Sequence, residues 1–233
     1  MPIVETCSLA GDRSPGLALL DAHNAQLFIA PSPFARETAA LAAPPPVGSR
    51  QLAPREKLFA QGDAAEQVFD VVEGSAMILR ELSRGQRQIV DIAGPGRVVG
   101  FCVGERHDCT AVTLTSCVVR ARARQPGAED VYMLAEIQRL RDLAALLGRK
   151  TAMERLATFL MEMIGDDFDF DKPLDFPVCR QEIADYLGLV IETVSRNFVA
   201  LRRRGVIEPA SRESVYILDS CALSLIAAGL ARD

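Results

Sequence analysis

Residues 180–208 read RQEIADYLGLVIETVSRNFVALRRRGVIE. Ile183, Ala184 and Leu187 recur at helical spacing, Gly188 follows where the chain must turn, and Leu189 can plug the corner. Val194, Phe198 and Leu201 give a second helix an inward face, and Gly205 suits its C-cap. Two short helices around a glycine turn predict a helix-turn-helix. The second helix carries Glu192, Thr193, Ser195 and Arg196. Glu192 and Arg196 project from one face about one turn apart. An arginine fork matches the O6 and N7 of guanine, and a carboxylate can accept from the N4 amine of cytosine. These four residues are therefore the expected base-reading set. Spacing alone would also suit an ordinary amphipathic helix pair with a solvated Arg–Glu face.

The whole chain is long enough for two domains. Its 233 residues can bury two modest cores. No apolar stretch is long enough to span a bilayer, and the N-terminus lacks the basic flank and unbroken apolar core of a signal peptide. A cytoplasmic protein without a membrane partner is expected. Cysteines at 7, 102, 109, 117, 179 and 221 are scattered, which suits reduced thiols rather than a disulfide framework. A net charge of −5 looks adverse to DNA binding, but local distribution governs. Arg202, Arg203 and Arg204 run together after the base-reading face, and Arg180 opens the first helix. Arg180, Arg202 and Arg203 are expected on the DNA backbone. The arginine run also complements the dipole at its own helix C-terminus.

Residues 1–50 are weakly patterned, with three prolines at 44–46, and read as an extension. Residues 51–127 change character. Val68–Val72, Ala76–Leu79, Gln88–Ile92 and Ala111–Val119 alternate with Gly-centred turns, which predicts an antiparallel sandwich or barrel. Residues 128–148 are helical. Met133, Ile137, Leu140, Ala144 and Leu147 repeat at heptad spacing, the seam of a coiled-coil dimer interface. Packing on the chain's own barrel is the alternative, and Leu143 and Leu146, off the seam, can supply that contact. Residues 149–233 hold an amphipathic helix with Leu156, Phe159, Leu160 and Met163, an acidic turn at 166–171, and the helix-turn-helix.

Ile183–Gly188 and Glu192–Arg196 closely match the recognition element of the CRP/FNR family of bacterial transcription regulators. Leu58–Asp63, Phe69–Gly74, Pro95-Gly96 with Gly100, and Leu146–Ala152 with Glu154-Arg155 extend the match over about residues 50–225. Within that family the chain most resembles the FixK group. The resemblance implies an α+β fold with an N-terminal antiparallel β jelly roll of the cyclic-nucleotide-binding type. A long dimerisation helix and a C-terminal winged helix-turn-helix would follow, the wing spanning Val206–Glu208 and Val215–Ile217. It also implies a homodimeric activator of microaerobic, anaerobic or nitrogen-fixation genes that works with RNA polymerase. Its operator would be a palindrome with half-sites like TTGAT and ATCAA. CRP carries an Arg just before the Glu; Ile191 stands there in this chain.

The effector motifs of the family are missing. CRP-type members use a Glu near the pocket's short helix and an Arg-Ser pair for cyclic AMP. The corresponding stretches here are Val98–Phe101 and His107–Thr110, with neither the Glu nor the Arg. FNR-type members ligate an iron–sulfur cluster with clustered N-terminal cysteines; this N-terminus has Cys7 alone, and four clustered thiolates are required. Cys102, Cys109 and Cys117 read better as small buried apolar residues. His23 and His107 are isolated, which supports neither haem nor the metal site of a cupin-like barrel enzyme. The expectation is a regulator without cofactor or metal, with no catalytic residues. The same DNA module gated by an unidentified small molecule or haem is the alternative. Cys179, at the start of the first helix beside Arg180, is the expected redox-regulatory residue, because a helix N-terminus and a neighbouring cation favour thiolate; a merely small residue near a cap is the alternative.

Overall fold

The computed structural model describes residues 48–124, 130–164 and 168–231. The N-terminal extension with Cys7 and His23, the first residues of the expected dimerisation helix and the Met133 side chain lie outside the described residues.

Eight short strands build the first half. They are β1 (Ser49–Leu52), β2 (Lys57–Phe59), β3 (Gln67–Glu73), β4 (Ala76–Glu81), β5 (Arg87–Ala93), β6 (Val98–Val99), β7 (Thr110–Thr113) and β8 (Cys117–Ala123). Two antiparallel sheets face each other, in the orders β1-β8-β3-β6 and β2-β7-β4-β5. This is the expected jelly roll. It begins at Ser49, inside the stretch read from sequence as extension, because β1 pairs with β8 from Ser49 opposite Arg120 to Leu52 opposite Cys117. Leu52, Phe59, Phe69, Val71, Val99 and Val119 fill the space between the sheets. Cys117 is fully buried among them and Cys102 is nearly so, as small apolar residues.

Helix α1 (Asp130–Arg149) follows the barrel, and α2 (Ala152–Met163) begins after a two-residue break at Lys150 and Thr151. Thr151 caps α2: its Oγ1 accepts from the Glu154 N–H at 3.3 Å, and Glu154 Oε2 accepts from the Thr151 N–H at 2.9 Å. The next residue, Arg155, ties two helix ends together. Its guanidinium donates to the carbonyls of Lys150 (2.9 Å), Leu147 (2.6 Å) and Leu187 (2.9 Å). Those carbonyls lie at the C-terminal end of α1 and at the end of α3 (Arg180–Leu187), where orphan acceptors need donors.

A small sheet and three further helices complete the chain. Strand β9 (Leu174–Asp175) precedes α3; α4 (Ile191–Arg203), β10 (Ile207–Pro209), β11 (Ser214–Ile217) and α5 (Ser220–Ala227) follow it. The sheet order is β10-β11-β9, so the expected wing hairpin has a third strand that sequence reading missed. The second core is continuous with the barrel. Met77, Leu79, Ile89 and Ile92 of β4 and β5 pack in one cluster with Leu156, Phe159, Ile183, Leu187 and Leu201. The helix-turn-helix is therefore seated directly on the barrel of its own chain.

The α1 seam divides as the sequence allowed. Leu146 is buried and Leu143 packs on the helical core, while Ile137 and Leu140 stay 42% and 45% exposed and Ala144 is exposed. Leu134, off the five seam positions, is exposed as well. Leu147 is half-buried at the end of the seam, facing the turn at Gly188. No helix among the described residues is long and apolar enough to cross a membrane.

Candidate nucleic-acid interface

The turn between α3 and α4 is tight. Gly188 caps α3 in the left-handed conformation (φ +61°), which glycine adopts without strain. The Leu189 N–H returns to the Ala184 carbonyl, and Val190 precedes the first turn of α4. Val194, Phe198 and Leu201 of α4 are buried, so the opposite face is set outward.

That outward face holds the expected base readers. Glu192, Ser195 and Arg196 are exposed and Thr193 is half-exposed. Thr193 Oγ1 accepts from Arg196 Nη2 at 3.1 Å, so one expected base reader steadies another. An open recess runs along the same face, lined by Ser195, Arg196, Val199, Ala200, Arg203 and Arg204.

The expected backbone contacts are placed unequally. Arg203 lines the recess, and Arg204, outside the expected set, lines it with Arg203. Arg202 does not: its Nη2 pairs with Glu208 Oε1 of the wing at 3.0 Å, because it lies about 120° around the helix from Arg196. Arg180 departs further. Its guanidinium carbon sits 3.2 Å from the centre of the Phe198 ring and 5.3 Å from that of Phe176. Burial lowers its pKa to about 10, which leaves it cationic at neutral pH. Its Nη1 is buried and meets no hydrogen-bond partner. To reach a phosphate, Arg180 must leave the rings.

Cys179 is the N-cap of α3 and is half-buried. The electrostatics around it differ from the sequence expectation. Arg180 points onto the rings, and the anion at this helix end is Glu182, whose Oε2 accepts from the Cys179 N–H at 2.8 Å. Glu182 is itself 4% exposed and forms a two-armed ion pair with Arg55, from the turn between β1 and β2. Its helix neighbour Asp185 takes Arg87 Nε of β5 at 2.6 Å, and Gln88 Nε2 donates to the Tyr186 carbonyl at 3.1 Å. Three polar links thus moor α3 to the barrel. Sequence reading missed them because Arg55 and Glu182 are 127 residues apart.

Inside the barrel, His107 stacks on Phe59 with ring centres 3.9 Å apart, and Phe59 stacks on Phe69 at 5.8 Å. His107 is buried, and burial lowers its pKa against the opposing pull of Asp63 and Asp108. Cys109 is pushed up to about 11 by burial and by the Asp108 carboxylate, so its thiol stays protonated. Among the described residues, no group of three or more His, Cys, Asp or Glu side chains is placed to hold a metal ion.

Comparison with known proteins places this geometry. The family description of Crp-like helix-turn-helix domains matches residues 154–226, and that of cyclic nucleotide-binding domains matches residues 49–125. The chain is 34% identical over 175 residues to the nitrogen fixation regulation protein FixK of Rhizobium meliloti, covering 73% of this chain and 82% of that protein. It is 32% identical over 190 residues to the transcriptional activatory protein AadR of Rhodopseudomonas palustris, covering 75% of this chain and 79% of that one. The solved structure of FixK2 from Bradyrhizobium japonicum superposes with a TM-score of 0.68 at 30% identity, covering 80% of this chain and 98% of its own.

Proposed function

The chain belongs to the CRP/FNR family of transcription regulators, and from that premise we propose that it is a dimeric activator of the FixK type. It reads a palindromic operator of the TTGAT-N4-ATCAA kind at microaerobic, anaerobic or nitrogen-fixation genes. The observation that carries this reading is the outward face of α4, where Glu192, Ser195 and Arg196 stand exposed together and Thr193 braces Arg196. In the proposed complex Arg196 reads a guanine and Glu192 takes an amine on the partner strand. Thr193 and Ser195 meet the neighbouring thymine or backbone. Arg203 meets phosphate, and Arg180 and Arg202 join it once they leave Phe198 and Glu208.

Two copies are required, because one recognition helix reads one half-site. Ile137, Leu140 and Ala144, exposed along α1, are the proposed interface, with Met133 and Leu147 at its ends. RNA polymerase is the proposed downstream partner. The regulator needs no cyclic nucleotide and no cluster: the barrel stretch lacking the family's Arg supplies His107, which packs on Phe59. Oxidation of Cys179 is the proposed off-switch, since an acid formed there would stand beside both Glu182 and the DNA backbone.

The test is operator binding without effector, measured by fluorescence anisotropy on operator and random duplexes. Arg196→Ala should cost about 1–3 kcal/mol on the operator and relax discrimination at the guanine. Equal losses on both duplexes would reduce Arg196 to a phosphate contact.

A further inference from the structure

The recess on α4 extends past the residues assigned to base reading. Val199 is three residues after Arg196 and seven after Glu192, so all three share one stripe of the helix. Among the exposed described residues of α4, Val199 is the apolar one, 48% open to solvent. A single exposed valine is ordinary on a protein surface. This one lines a recess together with Ala200, Ser195, Arg196, Arg203 and Arg204, with no carboxylate in the lining. An occupant that is anionic overall and presents an apolar edge suits this lining. In the DNA major groove the apolar group is the C5-methyl of thymine, and phosphates flank it. Val199 lies about 4.5 Å along the helix axis beyond Arg196, comparable to one base-pair step of about 3.4 Å.

We propose that the recess lined by Val199 and Ala200 is a binding site for the 5-methyl group of a thymine, one or two base pairs from the guanine read by Arg196. The site rests on the reading of α4 as the base-reading helix and adds a sequence determinant to it. Discrimination at this base pair comes from methyl burial, not from a hydrogen bond, so it should resist the salt that weakens the phosphate contacts.

The experiment uses the full-length protein and the TTGAT-N4-ATCAA duplex. Each thymine is replaced in turn, symmetrically in both half-sites, by deoxyuridine, which removes the methyl alone. At one thymine near the guanine, wild-type affinity should fall about fourfold per half-site, the worth of one buried methyl. Val199→Ala should lose a similar factor on the thymine duplex and show no further loss on that deoxyuridine duplex. Losses that multiply instead, or a wild type indifferent to every replacement, would overturn the thymine site while leaving the operator reading intact. A wild type that binds this operator no better than random DNA would overturn the operator reading, and the site with it. Thermal unfolding of Val199→Ala within a degree or two of wild type confirms that the comparison is made between folded proteins.

Discussion

At Arg180 the neighbours in space outweigh the neighbours in sequence. Its position at the start of α3 suggests a cation facing phosphate, yet its guanidinium rests on Phe198 and Phe176. Nothing in a linear reading places Phe198, eighteen residues on, against it. The outward residues of α4 were legible, because one helical period puts Val194, Phe198 and Leu201 on the buried side and so dictates what faces out. Cys179 was legible as an N-cap but not as a neighbour of the Glu182 carboxylate. That neighbour sharpens its prediction. Peroxide should abolish operator binding by wild type and spare Cys179→Ser, and Cys179→Asp should bind poorly without oxidant, its charge crowding Glu182. Binding that survives complete oxidation of Cys179, verified by mass spectrometry, would end the redox role. His107 gives a pH dependence of definite sign. Burial lowers its pKa from 6.5, so the folded barrel resists a proton that the unfolded chain accepts. Its contribution is complete above about pH 6.5 and is lost as pH falls from there through the lowered value. Melting temperatures measured from pH 7.5 to 5 should drop for wild type and drop less for His107→Phe, which keeps an aromatic ring on Phe59. Parallel curves would assign the acid sensitivity to other groups.

Helices and wing strands differ in how much of them a sequence shows. Helix α1 announces itself by its heptad, and α2 by Leu156, Phe159, Leu160 and Met163, all buried. Strand β9 has two residues, too few for any alternation to register, and it exists because β11 offers Ser214 and Val215 as partners. The function of Arg155 was equally invisible: it was one letter in a matching segment, and the structure makes it the donor to three carbonyls that end or follow helices. At the scale of the element, α1 has two apolar stripes, one packed on its own chain and one in the proposed dimer interface. Leu143 and Leu146 hold it to its own chain, so Ile137 and Leu140 are available to a second copy. Ile137→Glu and Leu140→Glu would place unpaired charges in that interface, where breaking a buried contact with a lone charge costs several kcal/mol. Sedimentation should find monomers for both variants, with helix content unchanged by circular dichroism and operator binding sharply reduced. Intact dimers for both would move the interface off this stripe.

Across the whole molecule, the two halves form one cohesive body. The second core runs from Met77 and Ile92 on the barrel to Leu187 and Leu201 in the helix-turn-helix. A sequence read in segments gives two domains joined by a helix, because contacts between residues as distant as Arg55 and Glu182 leave no periodic trace. That pair joins the halves through a buried carboxylate, with Glu182 4% exposed and the Arg55 side chain 45% exposed. Its backbone setting is particular: Arg55 holds φ at 67°, a left-handed conformation uncommon outside glycine. Removing the arginine leaves a buried carboxylate with the Cys179 N–H as its remaining donor. Half of the cation faces water, so the loss should be moderate, about 1–2 kcal/mol, rather than the larger cost of a fully buried pair. Urea unfolding of Arg55→Ala, Glu182→Gln and the double variant closes a cycle, and a coupling of about 1 kcal/mol is expected between residues in direct contact. Glu182→Gln keeps an acceptor for the Cys179 N–H, which separates loss of the cap from loss of the bridge. Operator affinity should fall in Arg55→Ala even under conditions where the protein is fully folded, because α3 sets the position of α4 and has lost one of its moorings on the barrel. Additive single effects together with undiminished operator binding would show that apolar packing alone seats the helix-turn-helix.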